Sequence, residues 1–358
     1  MTAAVLRALR SDCPIPPRLS PYADDVQGWL VELVDRLGLP ADPDTRRRLA
    51  RAGFARYAGR LYPDATEPDL RVLTAVFTWF FLVDDACDGR DGLTPPQIRA
   101  LRDGALALLR EGPRARHPGF SGPLRRLLVQ AWREPRRRMP ARWRLRFADA
   151  VADHLDGVYR EATATTSGRP PGVAEYVRLR RATSAAYVSY PLIEFASGRP
   201  LPDAVYHHPA LRRLAGLAND LLSWFNDIAS LERDRATGGG HNLVLATAAE
   251  RGVPVPAAVD LVAAHWRAEM DRFAALLAAV PSFGPTLDDA VAIHLDGLAA
   301  AVRGTVDWTL ESARYPVAAA SRPGCGGPVV AVTAAGRAGS PGRAARGRTT
   351  RCRRTRWR

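Results

Sequence analysis

From Val72 to Val83 the chain reads VLTAVFTWFFLV, an unbroken stretch with no charge and no helix breaker. A helix that is apolar on every side has no face to turn to water, so it belongs at the centre of a bundle with other helices wrapped around it. The run is too short to cross a bilayer, which takes about 18–20 apolar residues, and it stops at Asp84-Asp85. No other stretch comes closer to that length. A central helix in a globular body is the expectation, with no membrane as partner.

The rest of the chain agrees with a helical bundle. Segments of about 15–30 residues, rich in Ala, Leu and Arg, carry apolar residues at the helical period. Pro and Gly clusters separate them, as at Leu39–Asp44, Pro63–Pro68, Gly112–Pro123, Ser167–Gly172, Gly198–Pro209 and Gly238–Gly240. Alternating β-branched runs joined by Asn-Gly or Asp-Gly turns are not found, so strands are not expected. The predicted fold is all-α. Pro14, Pro16, Pro17 and Pro21 predict an irregular arm over residues 1–20, and nothing inside 21–315 reads as a linker or a repeat.

With 51 basic and 37 acidic residues the chain carries +14, which by itself suggests nucleic acid or an anionic surface. The charge is localised. Residues 316–358 hold ten arginines, no lysine and no acidic residue, and account for +10 of the +14, so residues 1–315 carry +4. This Ala/Gly/Pro/Arg tail has no helical period and is expected to be disordered. No nucleic acid is expected as partner of the body. Cys13, Cys87, Cys325 and Cys352 are far apart, without CxxC or zinc spacing. They and the lack of a secretory leader point to a reducing cytoplasm.

Two polar patterns interrupt the apolar design. Asp84 and Asp88 are i and i+4, so they share a helix face, where they repel each other at the end of the helix least suited to anions. A cation should offset both penalties, and hard carboxylate oxygens at the mouth of an apolar cavity suit Mg2+. Further on, Leu211 to Asp234 is again helical, and Asn219, Ser223, Asn226, Ser230 and Asp234 form a stripe separate from its apolar face. Asn226, Ser230 and Asp234 offer an amide oxygen, a hydroxyl and a carboxylate within about 12 Å of helix. Taken singly, each pattern also reads more plainly, as an acidic helix end before Gly89 and as a solvated stripe.

Together, DDxxD at Asp84–Asp88 and NDxxSxxRD at Asn226–Asp234 resemble the bacterial class I terpene synthases, or terpene cyclases. Arg180 in YVRLRRATS, His241-Asn242-Leu243-Val244 and Arg314-Tyr315 match in order, and the resemblance spans roughly residues 15–315. It implies a single-domain helical bundle around a central apolar cavity, three Mg2+ ions and an isoprenoid diphosphate substrate. The second motif also fits one register earlier, as Asn219, Ser223 and Asp227. The later register is preferred because Arg233 then stands beside the final acid. Two positions depart from the family's pattern: Asp234 where Glu is usual, and Ser184 where Gly is common.

The resemblance implies metal binding by Asp84, Asp88, Asn226, Ser230 and Asp234. It implies diphosphate contacts from Arg180, Arg233, Arg314 and Tyr315, with Arg178 and Arg181 as local competitors of Arg180. Phe80, Phe81 and Trp308, with Ser184, are expected to face the cavity and stabilise a carbocation by cation–π attraction; Phe77 and Tyr187 are weaker candidates. The implied reaction is ionisation and cyclisation of a linear isoprenoid diphosphate, farnesyl diphosphate first and geranylgeranyl diphosphate next. Alternatives are a chain-elongating prenyl diphosphate synthase, an inactive synthase homologue, or a nucleic-acid-binding protein using the Arg tail. A homodimer is compatible with the sequence.

Overall fold

The structure, a computed structural model, describes residues 2–39, 43–87, 92–165, 171–236, 241–312 and 314. The described residues form helices α1 (Thr2–Asp12), α2 (Ala23–Arg36), α3 (Pro43–Ala52), α4 (Phe54–Leu61), α5 (Glu67–Cys87), α6 (Pro95–Glu111), α7 (Gly122–Arg138) and α8 (Ala141–Thr165). They continue with α9 (Val173–Thr183), α10 (Ala186–Ser197), α11 (Asp203–Tyr206), α12 (Pro209–Ala236), α13 (Leu243–Arg251), α14 (Val255–Ala278) and α15 (Asp288–Glu311). Among them the only bridge of β type is an isolated pair, His117 with Phe120. None of these helices is long and apolar enough to cross a membrane. The tail 316–358 lies outside the described residues.

The apolar run is the core of α5, which is buried almost continuously from Leu73 to Val83. It packs against α2, α4, α7 and α10, as a helix without a polar face must. Around it, α12 packs on α14 and α15, and α15 returns across α4. Indole N–H groups stitch the layers: Trp143 donates to the Pro191 carbonyl and Trp266 to the Leu221 carbonyl, each at 2.8 Å.

The irregular arm predicted from the prolines for residues 1–20 is confined to residues 13–20. Thr2–Asp12 is helical, and Leu6 and Leu9, one turn apart, are fully buried where α1 meets α12 and α14. All the prolines follow Asp12, so they end α1 without disturbing it. A charged cluster fixes α1 in place. Asp307 of α15, completely buried, accepts from Arg10 at 2.7 Å, from Arg303 at 3.0 Å and from Arg60 of α4 at 3.2 Å. Arg60 also reaches Glu311.

The α9–α10 connection is abrupt. Ala185 takes the left-handed conformation, φ 59°, the only described non-glycine residue to do so. This costs about 1 kcal/mol and turns Ser184 and the start of α10 inward. Where α15 crosses α4, Gly304 lies so close that an added Cβ would sit 2.9 Å from the Arg60 carbonyl carbon. Backbone cannot yield as a flexible side chain does. Gly304→Ala should therefore lose about 1–3 kcal/mol, read as a lower denaturation midpoint in urea with unchanged helicity; an unaltered midpoint would contradict this packing.

At the opposite end of α10, His294 is buried against the Tyr206 ring. Burial and the nearby Arg146 hold its pKa down to about 4. The unfolded chain therefore binds this proton first as pH falls from 6.5 towards 4, and the folded state loses on the order of 3 kcal/mol over that window. His294→Phe keeps the ring and removes the titration. Its melting temperature should fall less than that of the natural protein between pH 6.5 and 4; equal falls in both would refute the assignment.

Candidate active site

One cavity opens at the C-terminal end of α5. Its walls carry Tyr57 of α4, Phe77, Phe80, Phe81 and Asp84 of α5, His154 of α8, Arg180 of α9, Ser184 and Ser189 around the α9–α10 break, Leu222, Ser223 and Asn226 of α12, and Thr305 and Trp308 of α15. The lower part is aromatic. Phe81 stacks on Phe54 at 4.4 Å, and Tyr57 packs on Trp308 at 4.5 Å and edge-on to Phe77 at 5.1 Å. The Trp308 indole is anchored outward, donating to the carbonyls of Ala52 and Gly53 at 3.0 and 3.1 Å. Phe80, Phe81, Trp308 and Phe77 thus line the cavity. Tyr187 is not among the lining residues.

The upper rim is charged. Arg314 donates to Asp85 at 2.7 and 3.1 Å and to Asp84 at 3.1 Å, with its guanidinium over the Phe81 ring at 5.0 Å. The cation that the acidic helix end requires is thus supplied, in part, by the last described residue of the chain. Asp88 and Tyr315 lie outside the described residues.

Of the three neighbouring arginines on α9, only Arg180 enters the site. Arg178 is exposed, and Arg181 pairs with Asp220 at 2.6 and 2.8 Å. Arg180 donates to Asp227 and to Asn226, both at 3.0 Å. Burial opposes its charge, but Asp227 and the other acids around it hold it protonated, above its ordinary range. Asp227 also accepts from the Tyr176 hydroxyl at 2.6 Å and from the Leu243 backbone N–H at 3.2 Å.

The rest of the second motif is drawn together along α12. The Ser230 hydroxyl donates to Asp234 at 2.7 Å, and Asn242 bridges Asp234 at 2.9 Å and the Asp227 carbonyl at 2.7 Å. Arg233 lies against Asp234 at 3.4 Å on the outer side, half exposed, and does not line the cavity. The earlier register is engaged differently. Asp227 is saturated by three donors, and Asn219 bonds Ser184 and Ser223 behind the wall.

Sequence reasoning passed over several of these groups. Tyr176 and Tyr57 carried no periodic signal distinguishable from helix packing, while Asp85 had entered only as a member of the first motif and Asp227 only as a ligand of the earlier register, not as the partner of Arg180. Glu161 did carry such a signal: it follows His154 by seven residues on α8, hence on the same face, and His154 lines the cavity. Burial pushes the Glu161 carboxyl up to about 7, with Arg180 pulling it down and Asp84, Asp227 and Asp234 pushing it further. His241 lies 3.6 Å away.

Asp84, Asn226, Ser230 and Asp234 are hard oxygen donors, with no thiolate among them. Among the described residues no group of three or more His, Cys, Asp or Glu side chains forms a metal cage. That donor set fits a small hard divalent ion completed by water and substrate phosphates better than one held by protein alone.

The family model described as terpene synthase family 2, C-terminal metal binding, matches residues 75–272. The chain belongs to this family. It is 29% identical to the 10-epi-cubebol synthase of Sorangium cellulosum, over 85% of this chain and 96% of that protein. It is 30% identical to the pentalenene synthase of Streptomyces arenae, over 84% and 91% respectively. Among solved structures it resembles the linalool/nerolidol synthase of Streptomyces clavuligerus with a TM-score of 0.74, at 28% identity, covering 83% of this chain and 99% of that one. The protein is therefore a class I terpene synthase, an all-α enzyme of isoprenoid chemistry in a metal-binding family.

The Asp227 cluster gives a structural test. Removing that carboxylate leaves Arg180 and Tyr176 buried without their partner, a change that typically costs 3–5 kcal/mol. Asp227→Ala should fall to a much lower melting temperature in circular dichroism. A melt within a degree or two of the natural protein would mean that the cluster contributes little to folding.

Proposed function

We propose that this terpene synthase ionises farnesyl diphosphate in the presence of Mg2+ and cyclises the resulting cation to a sesquiterpene, releasing diphosphate. The observation that carries the reading is the meeting of Asp84 and Asn226 at the mouth of one aromatic cavity, with Arg180 between them and Arg314 on the rim. Substrate length follows from the resemblance to synthases of this kind; geranylgeranyl diphosphate is the next choice.

Asp84, with Asp88, would hold metal on one side, and Asn226, Ser230 and Asp234 on the other; the resemblance implies three ions. When bound, they neutralise charge building on the departing diphosphate. The chain's own groups do the rest. Arg180 and Arg314 present guanidiniums that pair bidentately with phosphate oxygens, and each now rests on carboxylates it would share with or yield to substrate. Tyr315 would add a hydroxyl, and Arg233 a second shell of positive charge beside Asp234. The short Asp234 is braced by Ser230 and Asn242 rather than left to reach alone. Below, Phe80, Phe81 and Trp308 line the space where the isoprenoid cation would form with aromatic surface, which stabilises positive charge without offering it a nucleophile. Tail residues 316–358 take no part in this chemistry, and a cytoplasmic enzyme meets both ingredients.

The test is direct. Purified enzyme incubated with Mg2+ and farnesyl diphosphate should yield a terpene detectable by gas chromatography–mass spectrometry of hexane extracts, and chelation by EDTA should abolish it. Asp84→Ala and Asn226→Ala should each lower product by about 100-fold or more, as expected when several kcal/mol of transition-state stabilisation are lost. Unchanged turnover in either variant would refute the metal-site assignment. No terpene from farnesyl or geranylgeranyl diphosphate with folded protein would refute the activity.

A further inference from the structure

The wall of the cavity below Asn226 holds a polar triad that neither metal nor diphosphate binding requires. Asn219 is fully buried on α12. Its amide nitrogen donates to the Arg181 carbonyl at 2.9 Å, which fixes the amide's orientation. The amide oxygen therefore faces Ser184 and Ser223, and accepts from both hydroxyls, at 2.8 and 3.0 Å. A hydroxyl has one proton to give. With both protons committed to Asn219, the two serine oxygens meet the cavity, which both residues line, as acceptors only. The backbone N–H of Ala186 occupies one acceptor site on Ser184 at 3.2 Å, leaving one for the cavity. The longer 3.4 Å approach of Ser184 to the Arg181 carbonyl competes weakly.

Two hydroxyls that donate to one amide oxygen approach along its lone-pair directions, roughly 120° apart, which sets the serine oxygens about 5 Å from each other, close to the spacing that the two diverging hydrogens of a single water reach. Such a water must donate both of its hydrogens to the wall. Its lone pairs then point the other way, into the space lined by Phe80 and Phe81. Elsewhere the site is built to keep nucleophiles away from the cation; here it would present one, already oriented.

We propose that Ser184, Ser223 and Asn219 seat a reactive water, and that the enzyme makes a terpene alcohol. This rests on the cyclase reading above. Ionisation breaks the carbon–oxygen bond to diphosphate, and the electron pair leaves with diphosphate. A lone pair of the water then forms a new carbon–oxygen bond to the cationic carbon, and the resulting oxonium loses one proton to diphosphate or solvent. One water is consumed, and one alcohol and one diphosphate are released. Ser184, where the family commonly has glycine, becomes a determinant of product class.

The experiment is the reaction with farnesyl diphosphate in 18O-labelled water, comparing the natural enzyme with Ser223→Ala and Ser184→Gly, and reading the ratio of alcohol to hydrocarbon so that changes in rate drop out. The natural enzyme should give an alcohol that carries one 18O. Each variant should lower the alcohol-to-hydrocarbon ratio about fivefold or more, the worth of one lost hydrogen bond. Terpene formed only as hydrocarbon, or an alcohol whose proportion both variants leave unchanged, would overturn the proposal while leaving the cyclase reading intact. So would complete loss of turnover in Ser223→Ala with turnover retained in Ser230→Ala, because Ser223 would then be a metal ligand. No terpene of any kind from the natural enzyme would overturn the cyclase reading, and this inference with it.

Discussion

Asp84, Glu161, Asp227 and Asp234 crowd one end of a largely apolar cavity, where like charges repel far more strongly than they do in water. Two guanidiniums offset that repulsion. Arg180 lies on Asp227 and Asn226, and Arg314 on Asp84 and Asp85. The helices that meet at the cavity mouth are the ones that carry these groups: α5 brings Asp84, α9 brings Arg180, α12 brings Asn226 and Asp227, and α15 delivers Arg314 just beyond its end. Partial neutralisation leaves an excess of anionic oxygen at the rim, the electrostatic ground for the metal binding proposed above.

Below the rim the logic reverses. The walls offer π faces and a few hydroxyls whose protons are directed away from the space they enclose. Trp308 and Thr305 show how that is achieved. Each has a polar atom that would interfere if it turned inward, and each spends it on a partner behind the wall, Trp308 on the Ala52 and Gly53 carbonyls and Thr305 on the Ala301 carbonyl. The same device, applied to Ser184 and Ser223 through Asn219, determines which way their lone pairs face.

Much of this was legible in the sequence, because the signals were local and periodic. The apolar run ending in Asp84 announced α5 and its central position, and the steps of three and four along α12 placed Asn226, Ser230 and Asp234 on one stripe. What could not be read was set by distant partners. Arg180 could be preferred to Arg178 and Arg181 only through the resemblance; the physical reason for the choice is where Asp227 and Asp220 lie across the bundle. The α9–α10 break falls at Ser184-Ala185, without glycine or proline, and depends on a left-handed alanine that packing tolerates. The prolines after Cys13 concealed α1, since they mark where a helix stops and say nothing of the residues before it.

Asp307 fastens Arg10, near the start of the chain, to α15, near its end, across a sequence separation of 297 residues. The next residue is Trp308, a wall of the cavity, and Arg314 follows on the rim. Closing so long a loop carries an entropic cost, and the contact can form only once α15 has been synthesised. The cavity therefore gains its last wall and its rim arginine in the same late step. A nascent or C-terminally shortened chain lacking α15 would hold the acidic helix end exposed and unpaired, unable to shelter a cation from solvent. Enclosure of the cavity is thereby tied to synthesis of the chain through Arg314.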